Sequence, residues 1–97
     1  LYTLPADYQE FAREVYPGRF LVLGDTGPEV TLLQTRLNQM AARDSTLPTV
    51  AVDGVYGQET ARAVRAVQRS LGYSATGAVG PVLWSYIITQ GQGYGVF

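Results

Sequence analysis

Two five-residue segments, Asp53-Gly54-Val55-Tyr56-Gly57 and Thr76-Gly77-Ala78-Val79-Gly80, stand 23 positions apart, and each leads into a stretch with helical spacing. Glycine supplies left-handed backbone that other residues avoid, and an aspartate beside it accepts N–H bonds from the bend it occupies. Each segment therefore reads as a turn that launches a helix. Solenoids need about three or more stacked units to bury a continuous core. Two copies, with a related bend at Gly24-Asp25-Thr26-Gly27, predict a closed helical bundle instead.

Periodicity fills in the helices. After the first bend, Pro28 suits the opening helical position and Glu29 the positive end of the helix dipole. Val30, Leu33, Leu37, Met40 and Ala41 then share a face, which predicts a helix of about four turns. Residues 44–52 mix Ser, Thr and Pro with valines, and read as a loop entering a short extended piece. From Gln58 to Leu71, Ala61, Val64, Val67, Gln68 and Leu71 line one helical face, and Arg62, Arg65 and Arg69 another. Gly72 reads as the left-handed cap of this helix, with Tyr73 folding back as the hydrophobic contact. A short helix carrying Trp84 follows Gly80-Pro81.

Ahead of all this, Tyr8, Phe11, Ala12 and Val15 predict an additional amphipathic N-terminal helix over residues 5–16, stopped by Pro17-Gly18. The expected organisation is a helical extension over residues 1–20, one domain over 21–90 and a glycine-containing tail over 91–97. A chain of 97 residues has room for a single core. The opening Leu-Tyr-Thr-Leu-Pro, with no methionine and no basic-then-apolar leader, is what a segment excised from a longer protein would show.

Composition narrows the chemistry. Seven cations, all arginine, against eight carboxylates leave a net charge of −1, whereas nucleic-acid binders rely on a basic excess to displace counterions. Nucleic acid is therefore not an expected partner. The chain has no cysteine and no histidine, which removes thiolate and imidazole chemistry and most transition-metal sites. Ser45, Ser70, Ser74 and Ser85 have neither histidine nor lysine to activate them. Asp44, Asp53 and Glu59 share no helix face on which to form a glycosidase pair. No enzymatic activity, cofactor or metal is expected. The longest apolar run, Val82 to Ile88, is broken by Ser85 and falls well short of the roughly 20 residues that span a bilayer.

Three blocks occur in order with consistent spacing: Leu23-Gly24-x-x-Gly27-x-x-Val30-x-x-Leu33-Gln34-x-x-Leu37, Asp53-Gly54-x-Tyr56-Gly57-x-x-Thr60-x-x-Ala63-Val64-x-x-x-Gln68, and Thr76-Gly77-x-Val79-Gly80-Pro81-x-x-Trp84. Together they resemble the peptidoglycan-binding domain 1 family over about residues 23–88. The resemblance implies an all-α fold, a small closed three-helix module usually joined to cell-wall hydrolases, amidases or spore-cortex enzymes. It also implies noncatalytic attachment to peptidoglycan, an extracytoplasmic place at the cell wall or spore envelope, and tethering to other domains. The alternative is a protein-interaction or spacer domain that keeps the fold without binding glycan. Three positions depart from the family pattern: Val67 stands where Phe is common, Thr76 where Asp is usual and Leu83 where Thr is frequent.

The candidate ligand-binding residues are Asp53, Gly54, Tyr56, Arg62, Arg65, Arg69 and Thr76. Asp53 can accept from a sugar hydroxyl or a peptide amide, or can close its own turn with Gly54. Tyr56 can stack on an N-acetyl sugar or fill the space between helices. The arginine stripe can bind stem-peptide carboxylates through guanidinium forks, or can be a solvated helix face. Gln68 is expected to bond turn backbone, and Trp84 to be the large residue of the core.

Overall fold

A computed structural model describes residues 18–92, so the helix expected over 5–16 and the last five positions of the tail lie outside the described residues. Within them are three helices: α1 (Pro28–Ala41), α2 (Gln58–Ser70) and α3 (Pro81–Gln92). The all-α class and the three-helix bundle follow. Extended backbone among the described residues is limited to two isolated antiparallel bridges, Leu21 with Val79 and Thr26 with Val55.

Those bridges explain how the bends come together. The segment from Leu21 to Gly27 runs past both launching turns. Leu21 exchanges backbone hydrogen bonds with Val79 at 3.0 and 2.9 Å, and the Gly24 and Asp25 backbones pair with Tyr56 at 2.8 and 2.9 Å. Each helix then starts where its turn ends: α2 one residue after Gly57, α3 one residue after Gly80. Gly27 and Gly57 cap α1 and α2 without a side-chain bond, so proline at the start of α1 and Glu29 and Glu59 in the first turns supply the local start signals.

The end of α2 follows its expected pattern. Gly72 is left-handed, Tyr73 N–H donates to Gln68 O at 2.9 Å, and Gly72 N–H donates to Arg69 O at 3.1 Å. This is a Schellman closure. The Tyr73 backbone folds back as anticipated, but its ring stays half exposed and adds little apolar contact. At the other boundary α3 continues to Gln92, past the point where the tail was expected to begin.

The core is one cluster. Val30, Leu33, Leu37 and Met40 of α1 meet Trp84, Ile87 and Ile88 of α3, with Ala61, Val64 and Val67 of α2, and Leu21 and Val79 close the turn end. α1 packs chiefly on α3 and more lightly on α2. Val67 is buried in the place where a larger aromatic is common, and Trp84 is the largest buried side chain. No described helix is long and apolar enough to cross a membrane.

Candidate functional site

The two launching turns are built on one template. In the first, the buried Gln34 side chain of α1 accepts from the Asp53 and Gly54 N–H groups at 3.0 and 2.9 Å. Its amide nitrogen donates to Asp53 Oδ1, Val55 O and Thr60 Oγ1 at 3.1, 2.9 and 3.0 Å. In the second, the buried Gln68 side chain of α2 accepts from Gly77 N–H at 2.9 Å and donates to Thr76 Oγ1 and Ala78 O at 3.0 and 3.2 Å. Buried amides need partners, and here the partners are the turns themselves.

Asp53 and Thr76 hold matching posts. Asp53 Oδ1 accepts from Val55 N–H at 3.0 Å, and Thr76 Oγ1 accepts from Ala78 N–H at 3.2 Å. Threonine thus replaces the usual aspartate with its geometry kept and its charge removed. The Val55 N–H, and after it the Gln34 side chain, hold the Asp53 carboxyl below the usual carboxylate range. Both side chains remain at the surface while serving their own turns.

Glycine is required at the centre of each bend. Gly54 and Gly77 have φ of 74° and 79°. A Cβ on Gly54 would lie 2.9 Å from Thr31 Oγ1, and one on Gly77 would lie 3.0 Å from a guanidinium nitrogen of Arg65. Gly54 is therefore packed against the start of α1. Gly77 lies under the Arg65 side chain.

Tyr56 belongs to the core. Its ring is fully buried, its hydroxyl donates to Gly77 O at 2.5 Å, and burial pushes the phenol above its ordinary range. A ring with no exposed surface cannot stack on a sugar, so the stacking role considered for Tyr56 is replaced by a structural one. The Tyr56 hydroxyl ties one bend to the other. Turn spacing could not decide between these roles, because both place tyrosine two residues after the glycine.

The remaining candidates fall into two groups. Asp53 and Gly54 lie against α1, whereas Arg65, Gly77 and Thr76 meet at the α2 side. Arg62 and Arg69 are exposed one helical step either side of Arg65, which is half-buried. The result is a cationic ledge along α2 ending at the second turn. The three carboxylates weighed as a glycosidase pair each engage a different backbone segment: Asp44 accepts from Thr46, Asp53 from Val55, and Glu59 from Ala51 N–H at 2.9 Å. Among the described residues no group of three or more His, Cys, Asp or Glu converges on a metal position.

Two features escaped the sequence reading. Gln34 was visible only as part of a spacing pattern, although a glutamine on an otherwise apolar face of α1, as on α2, signals a buried amide. The second is a hollow of about 240 Å³ beside the C-terminal ends of α1 and α3, lined by Met40, Arg43, Asp44, Leu47, Tyr86 and Gln90. Those residues come together only in the fold.

Comparison with known proteins places this architecture. A segment of 64 residues, 66% of the chain, is 42% identical to a probable N-acetylmuramoyl-L-alanine amidase of Bacillus licheniformis. Over the same length it is 39% identical to the N-acetylmuramoyl-L-alanine amidase CwlL of Bacillus licheniformis. The match spans 17% of the length of each amidase. The crystal structure of the SleB N-terminal domain superposes with a TM-score of 0.66 at 26% identity, covering 79% of this chain and 99% of that one. The family described as "Putative peptidoglycan binding domain" matches residues 26–87, from the bend before α1 to the buried Ile87 of α3. With its pinned turns, α1, α2 and the start of α3 inside that match, the chain belongs to this peptidoglycan-binding family.

Proposed function

We propose that this chain is a noncatalytic module that holds a larger protein against peptidoglycan at the cell wall or spore envelope, through the ledge formed by Arg62, Arg65, Arg69 and Thr76. The observation that carries this reading is the arginine row set beside a turn that Gln68 and Tyr56 hold rigid. Guanidinium groups bind carboxylates in two-point fashion, and the helix backbone and the pinned turn set the spacing of the row. Asp53 lies on the α1 side, apart from the ledge, and supports the first turn.

Affinity at one such ledge is weak, because an open surface desolvates few contacts. Its use lies in raising the local concentration of a tethered partner. Hydrolysis in such a protein belongs to another domain, in keeping with the small share of the amidases that this chain matches. Sedimentation of the purified chain with insoluble sacculi tests the reading. The chain should pellet with the sacculi and release no soluble muropeptides. A chain left entirely in the supernatant supports instead the spacer role, which the internal engagement of Asp53, Tyr56 and Thr76 would also permit.

A further inference from the structure

The hollow at the C-terminal ends of α1 and α3 is lined by residues of those two helices and of the loop after α1, and by none of α2, which carries the arginine ledge. Its volume of about 240 Å³ is below the roughly 300 Å³ at which pockets begin to take drug-sized ligands, so it admits about one residue of a polymer. Met40 and Leu47, both buried, and the half-buried Tyr86 give it apolar walls.

Its rim carries opposite charges side by side. The Arg43 guanidinium donates to the carbonyl oxygen of Gln90, which positions it over the end of α3. The Asp44 carboxylate accepts from the Thr46 hydroxyl at 2.6 Å and the Thr46 N–H at 3.0 Å, both on Oδ1. Those two bonds, the hydroxyl first, lower its pKa and keep it ionised.

Apolar walls below a paired positive and negative rim match a short aliphatic arm that ends in both an ammonium and a carboxylate. Within peptidoglycan that chemistry occurs at the free end of a stem-peptide diamino acid. We propose that this hollow receives the zwitterionic end of such a diamino acid, its carboxylate on Arg43, its ammonium on Asp44 and its methylene arm against Leu47 and Tyr86. The proposal rests on the wall-binding reading above and adds a stem-peptide contact at a second site. An amidated or cross-linked end lacks one of the two charges and fits less well.

Two tripeptides test it, L-Ala-γ-D-Glu-meso-diaminopimelate and the same peptide ending in L-lysine, titrated into isotopically labelled chain and followed by NMR. The diaminopimelate peptide should shift the signals of Arg43, Asp44, Leu47 and Tyr86, and should bind about tenfold more tightly than the lysine peptide, which lacks the distal carboxylate. Arg43→Gln should erase that preference while the variant keeps its folded helical circular dichroism spectrum, and Asp44→Asn should weaken both peptides. Equal binding of the two peptides, shifts confined to the arginine ledge, or shifts at the hollow produced by a chitin oligosaccharide instead would overturn the proposal. If the chain fails to pellet with sacculi, the wall-binding reading itself fails; if it pellets and the tripeptides leave the hollow untouched, only the second contact does.

Discussion

Gln34 and Gln68 perform the same task at the two launching turns, but Gln34 meets five polar partners and Gln68 three. The first turn also has a charged acceptor, Asp53, where the second has the neutral Thr76. The more heavily bonded turn sits between α1 and α2, with Gly54 packed on Thr31. The lighter one borders the arginine row and is covered by Arg65. One turn is thus devoted to the fold, whereas the other joins the fold to an exposed surface.

Removing the two glutamines in turn should show the difference most strongly. Gln34→Ala leaves the Asp53 and Gly54 N–H groups and Val55 O without their partner, at a cost of about 3–4 kcal/mol. Gln68→Ala strands fewer groups and should cost about 2 kcal/mol. Urea unfolding measures both. Equal losses would mean that the two turns share the load despite their unequal bonding.

Cutting the link between the turns comes next. Tyr56→Phe keeps the buried ring and leaves Gly77 O without its donor, so a loss of about 1–1.5 kcal/mol is expected. Amide exchange should rise at both turns. A change confined to the second turn would show that Tyr56 fills space without coupling them.

The smallest effects are those of charge. The folded-state pKa of Asp53 is depressed, so its contribution to stability is complete above the unfolded carboxylate value near 4 and is lost as pH falls through the lower folded value. Asp25, held down first by the Val22 N–H and then by Arg19, and Asp44 titrate in the same direction. Asp53→Asn should flatten, without abolishing, the acid limb of a pH–stability curve. Thr76→Asp should restore a carboxylate to the second turn, raise Tm by about 2 °C at pH 7 and steepen the same limb. An unchanged limb in both variants would place the acid sensitivity elsewhere.

Much of this fold is legible from the turns. Glycine bends at Gly24-Gly27, Gly54-Gly57 and Gly77-Gly80 mark where α1, α2 and α3 begin, and the apolar faces of α1 and α2 follow from helical spacing. What spacing cannot give is depth. The spacing favours a core ring at Tyr56 but leaves a stacking platform open, and the folded chain, with Tyr56 fully buried and its backbone paired with Gly24 and Asp25, removes the second reading. Arg65 shares a face with Arg62 and Arg69, yet it alone leans on Gly77, because the second turn packs against that part of α2. The hollow draws Met40, Arg43, Asp44 and Leu47 together with Tyr86 and Gln90, residues some forty positions apart, and no local pattern joins them.

The ledge is tested most directly by sedimenting the chain with sacculi beside the double variant Arg62→Glu/Arg69→Glu, both sites being exposed and outside the core. The expected result is wild-type chain in the pellet and the variant mostly in the supernatant, with the variant still folded at the assay temperature and wild-type retention weakening as salt rises. Equal retention of the two proteins would contradict a peptidoglycan contact at the arginine ledge.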